Sequence, residues 1–194
     1  LRMTTREASM SASLDLPGNA LVAMTRDSLA ALRAAMFRDL GPNAAATLQE
    51  AGYAGGPALF EAFGRWLQSR GLPAPESLAA DAFAAHATEF FREAGWGSIQ
   101  LGALESVATV DSSDWAEGNP AYPLEFPGCY YTSGVMADFF GRLAGEPVAV
   151  MEVECRSMGG DRCRFLVGSG ETLQRVYDEM SQGVGYEQAV ASAK

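Results

Sequence analysis

Positive charge is scarce in this chain: 14 Lys and Arg stand against 24 Asp and Glu, for a net charge of −10. A nucleic-acid surface needs clustered basic side chains to displace counterions, so direct binding of DNA or RNA is excluded as a main role. An anionic membrane surface is a poor partner for the same reason. No apolar run approaches the roughly 18 residues of a membrane span. The opening stretch, LRMTTREASMSASLDLPGNA, lacks the apolar middle of a secretory signal. Cysteine is sparse and odd in number, at three, which argues against a closed disulfide framework. Together these absences predict a cytoplasmic protein whose thiols are free or metal-bound. There is one histidine, no visible Ser-His-Asp or Cys-His pairing, and no glycine-rich nucleotide loop of either common type. No catalytic residue is assigned.

What remains is the composition of an ordinary globular domain, 48% hydrophobic and 20% charged over 194 residues, enough for one sizeable core. Residues 1–19 read as a flexible lead-in, 20–182 as a single domain and 183–194 as a tail. Within the domain, LVAM at 21–24 suggests a short edge strand. A helix then runs to about Leu40, with Asp27 or Ser28 as cap and Leu29, Leu32, Met36 and Leu40 at helical spacing. Gly41-Pro42 ends it. A second helix spans about 43–70, with a break or kink expected at Gly55-Gly56-Pro57, and a third runs from about Pro75 to Glu93. After Gly95 the pattern changes to strands at 96–102 and 106–111, a Pro- and Gly-rich loop at 111–128, and a helix at 129–143. Two further strands, 147–157 and 161–168, flank Met158-Gly159-Gly160, and a last helix covers about 171–180. Helices and hairpins that do not alternate as βαβ units predict an α+β fold, with helices packed on an antiparallel sheet.

The three cysteines all fall in the last third, at Cys129, Cys155 and Cys163. If Ser157 pairs with Asp161 across the glycine turn, Cys155 is opposite Cys163 and on the same face. Cys129, at the head of a helix, is free to approach that face. Three thiolates at one point repel unless a divalent cation is present, and zinc takes four N, S or O ligands. Glu152 or Glu154 would be the fourth. Strict alternation puts Glu152 and Cys155 on opposite faces, so a Glu152 ligand requires a bulge in the strand. Inert core thiols or a Cys155–Cys163 disulfide satisfy the same spacing.

At GCYYTSGVMADFFGRLAGEPVAVMEVECRSMGGDRCRFLVGS, and more loosely at TRDSLAALRAAMFRDLGPNAAATLQEAGYAGG, the chain resembles the 4-vinyl reductase domain family. That family includes the sensory domains of phenol-responsive activators and shares its fold with nitric-oxide-signalling and Golgi-transport proteins. The resemblance implies a ligand-binding domain of that type. It implies Cys129, Glu152, Cys155 and Cys163 as ligands of a structural zinc.

A family of this kind encloses a hydrophobic small molecule, aromatic or tetrapyrrole-like, and acts as a sensor or carrier with a protein partner or as a homodimer. An enzyme or accessory protein of 4-vinyl reduction, or a scaffolding subunit, is the alternative. The ligand-binding residues expected from the sequence are Trp96, beside Ser98 and Gln100 on the first hairpin, Tyr130, fixed by its neighbour Cys129, and Trp115, on a loop long enough to act as a lid. Each of these aromatics also reads as ordinary core.

Overall fold

The computed structural model describes residues 14–193 of the 194. The part of the predicted lead-in at 1–13 lies outside the described residues. Residues 14–19 are a structured turn: Pro17–Asn19 form a 3-10 helix, and Arg65 Nε donates to Asn19 Oδ1 at 2.6 Å. No strand forms at 21–24, where Val22 and Met24 are exposed.

Helix α1, Arg26–Leu40, starts one residue before the predicted caps. Thr25 is the cap and its hydroxyl accepts from Ser28 N; Gly41, at φ 56°, ends it. Its buried residues are Ala30 and Arg33, whereas Leu32 and Leu40 are close to half exposed. The helix is therefore rolled away from the apolar stripe read in the sequence.

Helix α2, Asn43–Ser69, runs on through Pro57. The expected break does not occur, because glycines on one side of the helix lie against helix α4, Tyr130–Ala144. A Cβ on Gly52 would sit 2.0 Å from the Tyr131 carbonyl oxygen, and one on Gly134 2.0 Å from that of Gln49. Backbones this close gain dispersion contacts along the whole crossing, which offset the hydrogen bond that proline cannot donate. After a 3-10 turn at Pro75–Ser77, helix α3 covers Ala80–Glu93.

The sheet has strands β1 (Gln100–Leu104), β2 (Val107–Ser112), β3 (Ala149–Glu154) and β4 (Cys163–Gly168), in the order β1-β2-β4-β3 and antiparallel throughout. One face, through Val110, Val150, Phe165 and Val167, packs on α2, α3 and α4 in a core rich in phenylalanine. The other face, through Val107 and Leu166, is covered by α5 (Gly170–Ser181) and α6 (Tyr186–Ser192). Residues 183–194, expected as a tail, thus carry a helix that buries Ala189 and Val190 against the sheet. An α+β architecture with helices on an antiparallel sheet is what the chain adopts.

The β3–β4 hairpin places the cysteines. Near its open end the partners are Val150↔Val167 and Glu152↔Phe165; near the turn the partner of Arg164 is Glu154, so the register slips by one at Val153. This is a bulge, and the turn-side register is the one predicted from the glycine turn. Val153 packs towards α5 and α6, and Glu154 bonds Arg162 and Tyr186 on that same outer side. The extra residue returns Cys155 to the inner face, beside Glu152. The turn itself is broader than a tight hairpin, with a 3-10 helix at Arg156–Met158 and Gly159 at φ 85°.

Candidate metal centre and ligand cavity

Cys129 is the cap residue of α4, Glu152 lies on β3, Cys155 just after it, and Cys163 opens β4. Cys129 Sγ is 3.9 Å from Cys155 Sγ and 3.9 Å from Cys163 Sγ. A disulfide needs about 2.05 Å, so the disulfide alternative is excluded. A tetrahedral zinc with bonds of about 2.3 Å to sulfur sets ligand sulfurs about 3.8 Å apart. One donor atom from each of the four residues lies within 4.8 Å of every other. The cysteines are at most 2% exposed and Glu152 is 9%.

The carboxylate gives the most direct test of fit. Glu152 Oε2 accepts from Cys129 N at 2.7 Å, while Oε1 is buried with no hydrogen-bond partner. An orphaned carboxylate oxygen beside three sulfurs lacks only a cation. The titration behaviour agrees. Burial, then the Cys155 charge, push the Glu152 carboxyl up to about 8. Burial and the neighbouring sulfurs push the Cys129 thiol well up, while hydrogen bonds from Cys129 and Cys163 draw the Cys155 thiol down. Without a cation the cluster favours one ionised sulfur at the others' expense; a divalent ion removes that competition. Donor set, spacing and orphaned oxygen all fit a zinc-like ion.

The surrounding segments are held by residues that carry no local mark in the sequence. Gly118 backs the cluster: a Cβ there would lie 2.3 Å from Cys163 Sγ and 3.6 Å from Cys129 Sγ. Glu117, 2% exposed, caps α4 from outside the helix. Its carboxylate accepts from Thr132 N at 2.8 Å, Thr132 Oγ1 at 2.6 Å and Tyr131 N at 3.3 Å. That satisfies first-turn donors which an N-cap serine or aspartate would normally take. Burial raises the Glu117 carboxyl above its ordinary value, opposed by those bonds. Arg33, 2% exposed, donates from α1 to the carbonyls of Glu117 at 2.9 Å and Gly128 at 3.5 Å. Arg156 donates to the Gly118 carbonyl at 3.1 Å. Only the rarity of buried Glu and Arg sets these residues apart, and burial cannot be read from a loop sequence.

The five expected ligand-binding residues do not gather around a cavity. Trp96 precedes β1 and stacks between Trp115 and Tyr131, with centroids at 5.6 and 5.9 Å. Trp115 is 1% exposed and its Nε1 donates to Thr132 Oγ1 at 2.8 Å. It buttresses α4 and is no lid. Ser98 N donates to Asp114 Oδ1, Gln100 is exposed at the start of β1, and the Tyr130 ring leans on Phe37 of α1. The correction has a simple origin: β1 begins at Gln100, so Trp96 and Ser98 lie in the preceding loop.

The largest cavity, about 690 Å³, lies elsewhere, between α3, the end of α4 and the inner face of the sheet. Leu101, Ala108, Val110 and Val167 line it from the sheet, Phe83 from α3 and Phe140 from α4. The turn at Pro75–Ser77 closes one side. Its size falls in the usual range for small-molecule sites.

Fold and cluster together define an α+β domain whose helix–hairpin junction is built around three buried cysteines and a glutamate. Residues 120–169 match the 4-vinyl reductase domain, which agrees with the resemblance read in the sequence. An uncharacterised protein of Methanocaldococcus jannaschii is 29% identical over 80 residues, 41% of this chain and 42% of that protein. The chain therefore matches less than half the length of that relative. Among solved structures, the phenol-responsive sensory domain of the transcription activator PoxR, with phenol, is similar at TM-score 0.61 and 17% identity, over 86% of this chain and 83% of that one. Trafficking protein particle complex subunit 3 from Naegleria fowleri, covalently bound to palmitic acid, is similar at TM-score 0.55 and 14% identity, over 74% and 91%. At these identities the likeness is one of fold. Among the described residues, no helix is long and apolar enough to cross a membrane.

Proposed function

We propose that this chain is a cytoplasmic sensory or carrier domain that holds a hydrophobic small molecule, aromatic or tetrapyrrole-like, in the cavity between α3, α4 and the sheet. The cavity carries the reading: about 690 Å³ of space against apolar strand and phenylalanine side chains. A core packed to normal density leaves no such space unless something fills it. The likeness in fold to a phenol-responsive domain supports this reading. Zinc held by Cys129, Glu152, Cys155 and Cys163 is structural, because four protein ligands leave no open position for a substrate. When bound, it neutralises the cluster and ties the β3–β4 hairpin to the head of α4. A protein partner or a second copy would receive the signal.

The test has two arms. Elemental analysis of the purified protein should give one zinc per chain. Thermal shift and mass spectrometry, with a panel of phenols, aromatic amines and tetrapyrroles, should find a binder whose affinity is lost when Ala108 is enlarged. A protein that binds nothing on the panel and carries no co-purified molecule would refute the ligand-binding reading.

A further inference from the structure

The cavity's lining is uneven in charge. Glu76 and Asp81 are the ionisable residues that line it, and no Lys, Arg or His does. Neither carboxylate takes part in an ion pair among the described residues. The start of α3 lies on the same rim, and a helix N-terminus would ordinarily attract an anion. Here Asp81 Oδ1 already accepts from Ala82 N at 2.9 Å, so an incoming anion meets a carboxylate where it would otherwise find free N–H groups. The walls add Phe83 and Phe140, 5% and 9% exposed. Carboxylates beside aromatic rings are the combination that holds an ammonium group.

We propose that the cavity selects an apolar molecule bearing a protonated amine and rejects the matching carboxylate. The inference rests on the ligand-binding reading above and gives that site its ligand class. The apolar body lies against Leu101, Val110 and Val167, and the ammonium points to the rim between Glu76 and Asp81. No cysteine lines this cavity, so covalent acylation within it is excluded.

Three probes with the same phenyl tail test this: phenethylamine, phenethyl alcohol and phenylacetate, titrated calorimetrically into the full chain. The amine should bind about tenfold or more tighter than the carboxylate, with the alcohol between, and the gap should narrow as salt rises. In Glu76→Gln/Asp81→Asn the three affinities should fall within about threefold of one another, since the sign of the head group no longer matters. Phenylacetate binding as tightly as the amine would overturn the proposal, as would a preference that survives the double substitution. In both cases the alcohol still binds and the ligand-binding reading stands. If none of the three binds, that reading fails and the inference falls with it.

Discussion

Replacing Gly118 with alanine adds one methyl group at the place where the structure has least room for it. The new Cβ would lie 2.3 Å from Cys163 Sγ, whereas ordinary contact begins at 3.4 Å, so the pair must part by about 1.1 Å. Gly118 has no positive φ, so alanine introduces no backbone strain and the effect is steric. The loop resists yielding, because Arg33 holds the Glu117 carbonyl and Arg156 the Gly118 carbonyl. The sulfur must move, and metal–ligand distances tolerate only about 0.2 Å. Structural zinc binds with about 10–16 kcal/mol in all, or about 3 kcal/mol for each of four ligands. Expelling one thiolate should therefore weaken zinc binding about 100-fold or more. Competition against a chromogenic chelator gives the affinity, and cobalt substitution reports the number of sulfur ligands through its charge-transfer band. A folded G118A protein with wild-type zinc affinity and an unchanged cobalt spectrum would refute the reasoning.

Glu152→Gln keeps an acceptor for Cys129 N but removes the anionic donor; zinc affinity should drop at least about tenfold in the same competition assay. Arg33→Met strands the buried Glu117 carbonyl and should cost about 1–3 kcal/mol in urea denaturation; an unchanged midpoint would show that Arg33 does not hold the loop. Ala108→Phe fills part of the cavity and should abolish small-molecule binding by thermal shift while leaving zinc content at the wild-type value. Parallel loss of both would mean that the substitution disturbs the fold.

The hairpin is the most legible part of the site, because its geometry is local. The glycine turn sets the register near Cys155 and Cys163, and alternation alone shows that a Glu152 ligand needs a bulge; the bulge is there, at Val153. The buried face of α1 is not legible, because Arg33 has the chemistry of a solvent-facing residue. An arginine can be buried when backbone carbonyls receive it, and those of Glu117 and Gly128 lie 84 and 95 residues away in sequence. Trp115 reads as a lid because its surroundings are rich in Pro, Gly and Asp. Its partner Thr132 lies across the loop on α4, a pairing no local pattern discloses. Residues 183–194 read as a tail because α6 is short and buries mainly small side chains, Ala189 and Val190, whose apolar signal is weak. The cavity is illegible for the same kind of reason: strands far apart in sequence line it, and its outline depends on where α3 lies over them.

The glycine-to-backbone contact of α2 with α4 has a mechanical consequence. Two rods touching main chain to main chain cannot slide without collision, so this pair serves as the rigid chassis of the molecule and carries Cys129 at one end. Any accommodation to an occupant falls to the opposite wall, α3 and the connector at 71–79 that leads into it. Amide exchange recorded with and without a bound molecule should change there, while α2 and α4 keep a constant protection pattern.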